Sequence, residues 1–205
     1  MAMISDLENY FRGLVPPRVE LLRRLEVEAE QEHIPIVGPV VGELLFILAR
    51  VMGASRILEL GTATGYSVIY LAQAVGPDPG QVVTLEINPA MAGRALDNIA
   101  AAGLSGRVEI KIGDARTLMA SLPDSFDLIF MDIDKEGYLP ALPECHRLLR
   151  RGGLLVVDNT GFAGAADFNQ ALLTDERWRS VNLLSFLPEH SPEKDGLALA
   201  IKMAP

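Results

Sequence analysis

Residues Arg56 to Ser67 read RILELGTATGYS: a short apolar run, a turn holding Gly61 and Gly65, then the start of a helical pattern. A strand that feeds a glycine turn and then a helix is the opening unit of a parallel sheet, and glycines there let backbone approach a ligand lying across the strand tips. Outward from this unit the alternation continues. QVVTLEI, RVEIKI, FDLIFM and GLLVVD read as further strands, with helices starting near Tyr66, Pro89, Ala115 and Tyr138 between them. Asn88 caps the helix that Pro89 opens, and Gly103 stops it. After Asp158 come the glycine-rich NTGFAGA, a helix near Asp167 to Leu173, and two last strands, RSVNLLSFL and LALAIKM, with SPEKDG read as the turn or loop between them. Before Arg56, VELLRRLEVEAEQEH and VVGELLFILARVM carry helical periodicity and IPIVGP separates them. One α/β domain over residues 1–205 is expected, with a helical cap at 1–53 and a core at 54–205.

The turn after the first strand discriminates between ligands. A dinucleotide site favours G-x-G-x-x-G, whereas here the pattern is E-x-G-x-x-x-G, with Glu59 set to repel a pyrophosphate. Glu86 closes the next strand, where a carboxylate can accept both hydroxyls of a ribose. Asp114 closes the third and could reach an adenine amino group. Acids at three successive strand ends suit a ligand with ribose, adenine and positive charge but no phosphate, as in S-adenosylmethionine. The competing reading of each acid taken alone is a solvated loop residue.

The next two strands end in a second acidic group. Asp132 closes FDLIFM and Asp158 closes GLLVVD, and parallel neighbours lie roughly 4.8 Å apart, so both carboxylates can meet one cation. Asn159 can join them only if the chain leaves strand geometry, because consecutive strand residues point to opposite faces. Two carboxylates and an amide oxygen form a hard, all-oxygen set suited to Mg²⁺, Mn²⁺ or Ca²⁺. Lys135, three residues past Asp132, could set an amine beside whatever the cation holds, where a nearby positive charge and partial burial favour the neutral form a base requires. The alternative is that the two aspartates cap helices and Lys135 is a solvated surface group.

At LELGTATGYS, TLEINP, MDIDKEGYLP and VVDN, the sequence resembles the metal-dependent class I O-methyltransferases that include the catechol and caffeoyl-coenzyme A enzymes, over about Ile36 to Lys202. The resemblance implies a Rossmann-like, mostly parallel sheet of seven strands with helices on both faces and the last strand antiparallel. It implies that Glu59, Gly61, Thr62, Tyr66 and Ser67 line the methionine part of S-adenosylmethionine, with Val37 holding its amino-acid end through backbone. Glu86 with Ile87 would take the ribose, and Asp114 with Ala115 the adenine. Asp132, also beside the cofactor, would bind the divalent cation with Asp158 and Asn159, and Lys135 would be the base that deprotonates a small ortho-dihydroxylated acceptor. A homodimer is expected by the same resemblance.

Several positions depart from the catechol pattern. Asp134 and His33 stand where that enzyme has tryptophans and Ala163 where it has proline, and Glu189 is a candidate for an acid assisting the second hydroxyl. His33, His146 and His190 are read as solvent-facing or capping. Tyr138 is read as orienting the loop after Lys135 or as packing, Trp178 as core or interface in a helix-to-strand connection, and RLLRRGG (Arg147 to Gly153) as the basic end of a helix. Two further readings compete: an S-adenosylmethionine-binding protein with a non-catechol acceptor, and a nicotinamide-dependent oxidoreductase, which the missing glycine and Glu59 disfavour.

Composition narrows the partners. With 18 Lys and Arg against 27 Asp and Glu, the formal charge of −9 repels a phosphate backbone, and no basic stripe and no aromatic residue read after Asn159 for gripping a flipped base offset it. The start, MAMISDLENYFRG, lacks a basic segment followed by an apolar run, and no apolar stretch reaches the roughly 20 residues of a membrane helix. A soluble, cytoplasmic protein is expected, with neither nucleic acid nor membrane as partner. The single cysteine, Cys145, reads as a small buried residue in a helix.

Overall fold

The expected alternation forms a seven-stranded sheet in the computed structural model, which describes residues 3–76, 80–123 and 125–203. The strands are β1 (Arg56–Leu60), β2 (Gln81–Glu86), β3 (Val108–Ile112), β4 (Phe126–Met131), β5 (Leu149–Val157), β6 (Trp178–Phe186) and β7 (Lys194–Lys202), and their order is β3-β2-β1-β4-β5-β7-β6. β7 runs antiparallel to both its neighbours, β5 and β6, and the other pairs among the described residues are parallel. This is the expected Rossmann-like class I methyltransferase arrangement. Because the chain leaves β1 toward β2 on one side and places β4 on the other, the crevice between the tips of β1 and β4 is the switch point at which such sheets bind ligands.

Side-chain alternation divides the core in two. Ile57, Leu128, Phe130, Leu154 and Val156 face one layer with residues of α2 (Glu20–Glu32), α3 (Gly38–Met52), α4 (Tyr66–Ala74) and α5 (Pro89–Ala101). Leu58, Leu60, Ile129, Met131, Leu155 and Val157 face the other, with α6 (Ala115–Met119), α7 (Tyr138–Leu148) and α8 (Ala166–Thr174). Both faces of the central strands are therefore apolar, and β1, β2, β4 and the second half of β5 read as continuous hydrophobic runs, unlike the edge strands β3 and β6. Cys145 is wholly buried in the second layer, as expected, and burial pushes its thiol up to about 12. A short helix that the sequence reading did not anticipate, α1 (Leu7–Arg12), is capped by Asp6 and buries none of its residues.

Three boundaries differ from the sequence reading, and each has a local cause. Strand β5 starts at Leu149, so Arg150 and Arg151 belong to a strand rather than to a helix end; Gly152 at φ 73° accompanies the shift in register between Phe126 and Leu128. Trp178 opens β6 and packs edge-on against His146, 5.3 Å between ring centres, which buries a histidine expected at the surface. Strand β7 starts at Lys194, taking Lys194, Asp195 and Gly196 out of the supposed turn.

No described helix is long and apolar enough to cross a membrane. On the side of the sheet away from the strand tips, Leu48, Met52, Leu154, Val181, Leu199 and Ile201 line an apolar groove between α3 and the β5-β7-β6 edge.

Candidate active site

The loops after β1, β2, β3 and β4 surround a cavity of about 640 Å³. Gly61 makes the crevice possible: at φ 95° it turns the chain under the tip of β4, and a Cβ on it would lie 2.1 Å from the carbonyl oxygen of Asp132. Val37, Gly61, Thr62, Tyr66, Ser67, Glu86, Ile87, Asp114, Ala115, Asp132, Lys135 and Asn159 all line the cavity, so the structure brings together nearly every residue singled out in the sequence.

Glu86 organises the first loop. Its Oε2 accepts N–H bonds from Thr62 (3.1 Å) and Ala63 (2.8 Å), and Oε1 accepts from Asn88 (2.8 Å). Asp114 caps α6: Oδ1 accepts from the Thr117 backbone and hydroxyl, both at 2.9 Å, and these bonds hold its carboxyl below the usual range. Tyr66 lies along the cavity with its hydroxyl donating to Glu26 of α2 at 2.6 Å. Arg18 completes that network by bonding both oxygens of Glu26 and reaching Glu189 at 2.5 Å. Glu189 is thus tied to the helical cap and does not line the cavity.

Glu59 is a correction. It does not line the cavity but lies beneath its floor, fully buried, with Oε2 accepting from Thr84 at 2.6 Å and Oε1 unpartnered. Burial pushes its carboxyl up to about 8, Ser67 and Thr84 oppose this, and Asp132 and Glu86 add to it. A carboxyl raised when folded is stabilising at low pH, below about 4.5, and that contribution is lost as pH rises toward about 8. Glu59→Gln, equal in shape and without charge, is therefore expected to gain on the wild type in ligand-free melting temperature between pH 5 and 8. A constant difference across that range in thermal scans would show that Glu59 does not titrate there.

The second acidic group sits at the tips of β4 and β5. Asp132 Oδ1 accepts from Lys135 Nζ at 3.2 Å, and the same amine donates to the Ile133 carbonyl at 3.1 Å. Burial and Asp158 push the Asp132 carboxyl up, while Lys135 and His190 oppose this. Asp158 is almost wholly buried, and its Oδ1 has no hydrogen-bond partner. Asn159 leaves the strand at φ 50°, the departure that sharing a cation requires, and its Nδ2 donates to Asp195 at 2.7 Å. A buried, unpaired carboxylate oxygen beside a second carboxyl and an outward amide oxygen is the chemistry of a hard-cation site, so these three residues fit such an ion.

His190 is the second correction. Rather than facing solvent, it is buried with Nε2 2.8 Å from Asp158 Oδ2 and Nδ1 2.7 Å from the Pro192 carbonyl. Burial disfavours a charged ring, yet the bond to Asp158 and the Pro192 carbonyl raise its pKa overall. His33, by contrast, is the exposed left-handed cap of α2, as read. Of the two roles considered for Tyr138, packing is the one observed: its ring is fully buried against Phe168, and its hydroxyl donates to the Asp158 carbonyl at 2.9 Å. Phe162, not singled out in the sequence, stands 45% exposed with its ring centre 5.8 Å from Lys135 Nζ. Its only sequence signal was an aromatic residue in an otherwise small, glycine-rich loop.

Sheet order, the crevice at β1 and β4, and acids closing β2 and β3 define a class I methyltransferase. Residues 16–171 match the model of the O-methyltransferase family. Catechol O-methyltransferase of Niastella koreensis is 37% identical over 80% of this chain and 81% of its own length. Catechol O-methyltransferase of Mycobacterium tuberculosis is 41% identical over 67% of this chain, and the match spans 58% of that protein. The O-methyltransferase TomG of Streptomyces achromogenes, solved in complex with S-adenosylmethionine, superposes with a TM-score of 0.86 at 28% identity, covering 97% of this chain and 96% of its own. The chain belongs to this family of S-adenosylmethionine-dependent O-methyltransferases.

Proposed function

We propose that the protein methylates one hydroxyl of a small ortho-dihydroxylated, catechol-like acceptor, using S-adenosylmethionine and a divalent cation. The observation that carries this reading is the position of Lys135 Nζ, 3.2 Å from Asp132 Oδ1 on the cavity wall, with Asn159 lining the same cavity. Support for the acceptor class comes from relatives named catechol O-methyltransferase.

In this reading Glu86 engages the ribose through lone pairs left beside its backbone bonds, Ile87 and Ala115 flank the nucleoside, and Tyr66 and Ser67 bound the methionine end. Asp132, Asp158 and the Asn159 amide oxygen would hold the cation. Such a cation supplies positive charge that favours the ionised form of a nearby hydroxyl. Lys135 Nζ, as the neutral amine, would take that hydroxyl's proton, and the oxygen would bond the sulfonium methyl as its carbon–sulfur bond breaks, leaving S-adenosylhomocysteine. The loops after β1 and β4 fix the angle of approach, and alignment of this kind contributes up to roughly 7–11 kcal/mol in favourable cases. Phe162 offers an aromatic face beside the amine and partly replaces the walls lost at Asp134, His33 and Ala163.

Methyl transfer to catechols, caffeoyl esters and dihydroxylated flavonoids, measured with Mg²⁺ or Mn²⁺ and again with EDTA, tests this. Product is expected on ortho-dihydroxy acceptors only when metal is present. Equal turnover of singly hydroxylated analogues in EDTA would reject it. The replaced aromatic positions favour, as a second reading, an acceptor outside the catechol class.

A further inference from the structure

We infer that Asp195, at the start of β7, is a positioning residue that fixes which end of the Asn159 amide faces the cation site. The inference rests on the cation reading above. Three N–H groups converge on this carboxylate, which is only 3% exposed: Asn159 Nδ2 on Oδ2 at 2.7 Å, and the backbone of Gly161 (3.0 Å) and Gly196 (2.6 Å) on Oδ1. A carboxylate offers acceptors alone, so the Asn159 NH₂ must turn toward it and the amide oxygen toward the cavity. The corner has no slack. A Cβ on Gly161 would lie 2.6 Å from Asp195 Oδ1, and one on Gly196 would lie 2.5 Å from Thr160 Oγ1.

The geometry supplies a test in which the single variant removes one negative charge and the double variant restores it. In Asp195→Asn the two backbone donors keep an oxygen where Oδ1 was, so the new NH₂ faces Asn159. Asn159 must then turn its oxygen to position 195 and its NH₂ to the cation, which an NH₂ cannot bind. Adding Asn159→Asp reverses the loss, because a carboxylate can accept from the amide at 195 with one oxygen and offer the other to the cation. Mn²⁺ affinity by calorimetry is expected to fall about 10- to 100-fold in D195N and to return to within about threefold of wild type in D195N/N159D. S-adenosylhomocysteine affinity should stay within about twofold throughout.

Unchanged Mn²⁺ affinity in D195N, or a folded double variant as weak as the single, would overturn the inference. If D195N does not fold, N159D supplies the other half of the cycle. It sets two carboxylates against each other, and its lowered melting temperature must recover on adding D195N; no recovery overturns the pairing. The side-chain amide resonances of Asn159 in metal-free protein separate this inference from the cation reading. If wild type binds no Mn²⁺, a shift of those resonances in D195N retains the positioning role and unchanged resonances remove it.

Discussion

Lys135→Ala should lower turnover by about 10²- to 10⁴-fold, the range that general base catalysis contributes, while S-adenosylhomocysteine and Mn²⁺ bind as in wild type. The separation follows from where the side chain ends. Nζ touches Asp132 Oδ1 and the Ile133 carbonyl and lies over the rings of Tyr138 and Phe162, at 5.4 and 5.8 Å from their centres, and none of the loop amides bound to Glu86 depends on it. Losing the amine leaves the β1 loop intact, and Asp132 stays in the proposed cation site. Steady-state rates alongside calorimetry on the same preparation decide the matter. A loss below tenfold would remove Lys135 as the base, and a parallel loss of cofactor affinity would make it a structural residue.

Asp158→Ala should act on two observables at once. The carboxylate is both a proposed cation ligand and the partner of His190, with each side chain only 1% exposed. Removing a charge that the cation site needs is expected to cost several kcal/mol of transition-state stabilisation, roughly a thousandfold in kcat/KM. It also strands a buried imidazole whose second nitrogen then has no acceptor. Breaking a buried charged pair typically costs about 3–5 kcal/mol, so a clear fall in melting temperature should accompany the loss of Mn²⁺ binding. Adding His190→Gln should recover part of the stability and none of the cation binding. A D158A protein that melts with wild type and binds Mn²⁺ would contradict the placement of both residues.

The strand ends were legible because this fold gathers the residues that close its parallel strands at one edge of the sheet, where Glu86, Asp114 and Asp132 line the cavity and Asp158 lies buried beside it. Glu86, Asp132 and Asp158 each follow an apolar run, Asp114 follows the alternating VEIKI strand, and the turn at Asn159 could be anticipated from the glycines after it. What stayed hidden depends on partners distant in sequence. His190 lies 32 residues from Asp158, and Asp195 lies 36 from Asn159. Nothing in SPEKDG distinguishes an aspartate that receives three N–H groups from one that faces water. Glu59 was located correctly on its strand, but as the penultimate residue of β1 it sits one step below the tip, where the register with Thr84 turns its carboxyl into the sheet. His146 and His190 failed for a related reason: whether an imidazole is buried is set by what it meets from elsewhere in the chain, here Trp178 for His146 and Asp158 at the end of β5 for His190.

The antiparallel insertion of β7 between β5 and β6 has a consequence for synthesis on the ribosome. A nascent chain that has emerged as far as Val157 already contains Gly61, Glu86 and Lys135, whereas Asp195, which holds the Asn159 amide, is translated almost 40 residues later. Until Lys194–Lys202 clears the exit tunnel, the free edge of β5 lacks the strand it pairs with in the native sheet, and β6 has no neighbour at all. The residues lining the cofactor pocket are therefore all translated before the strand that completes the proposed cation site.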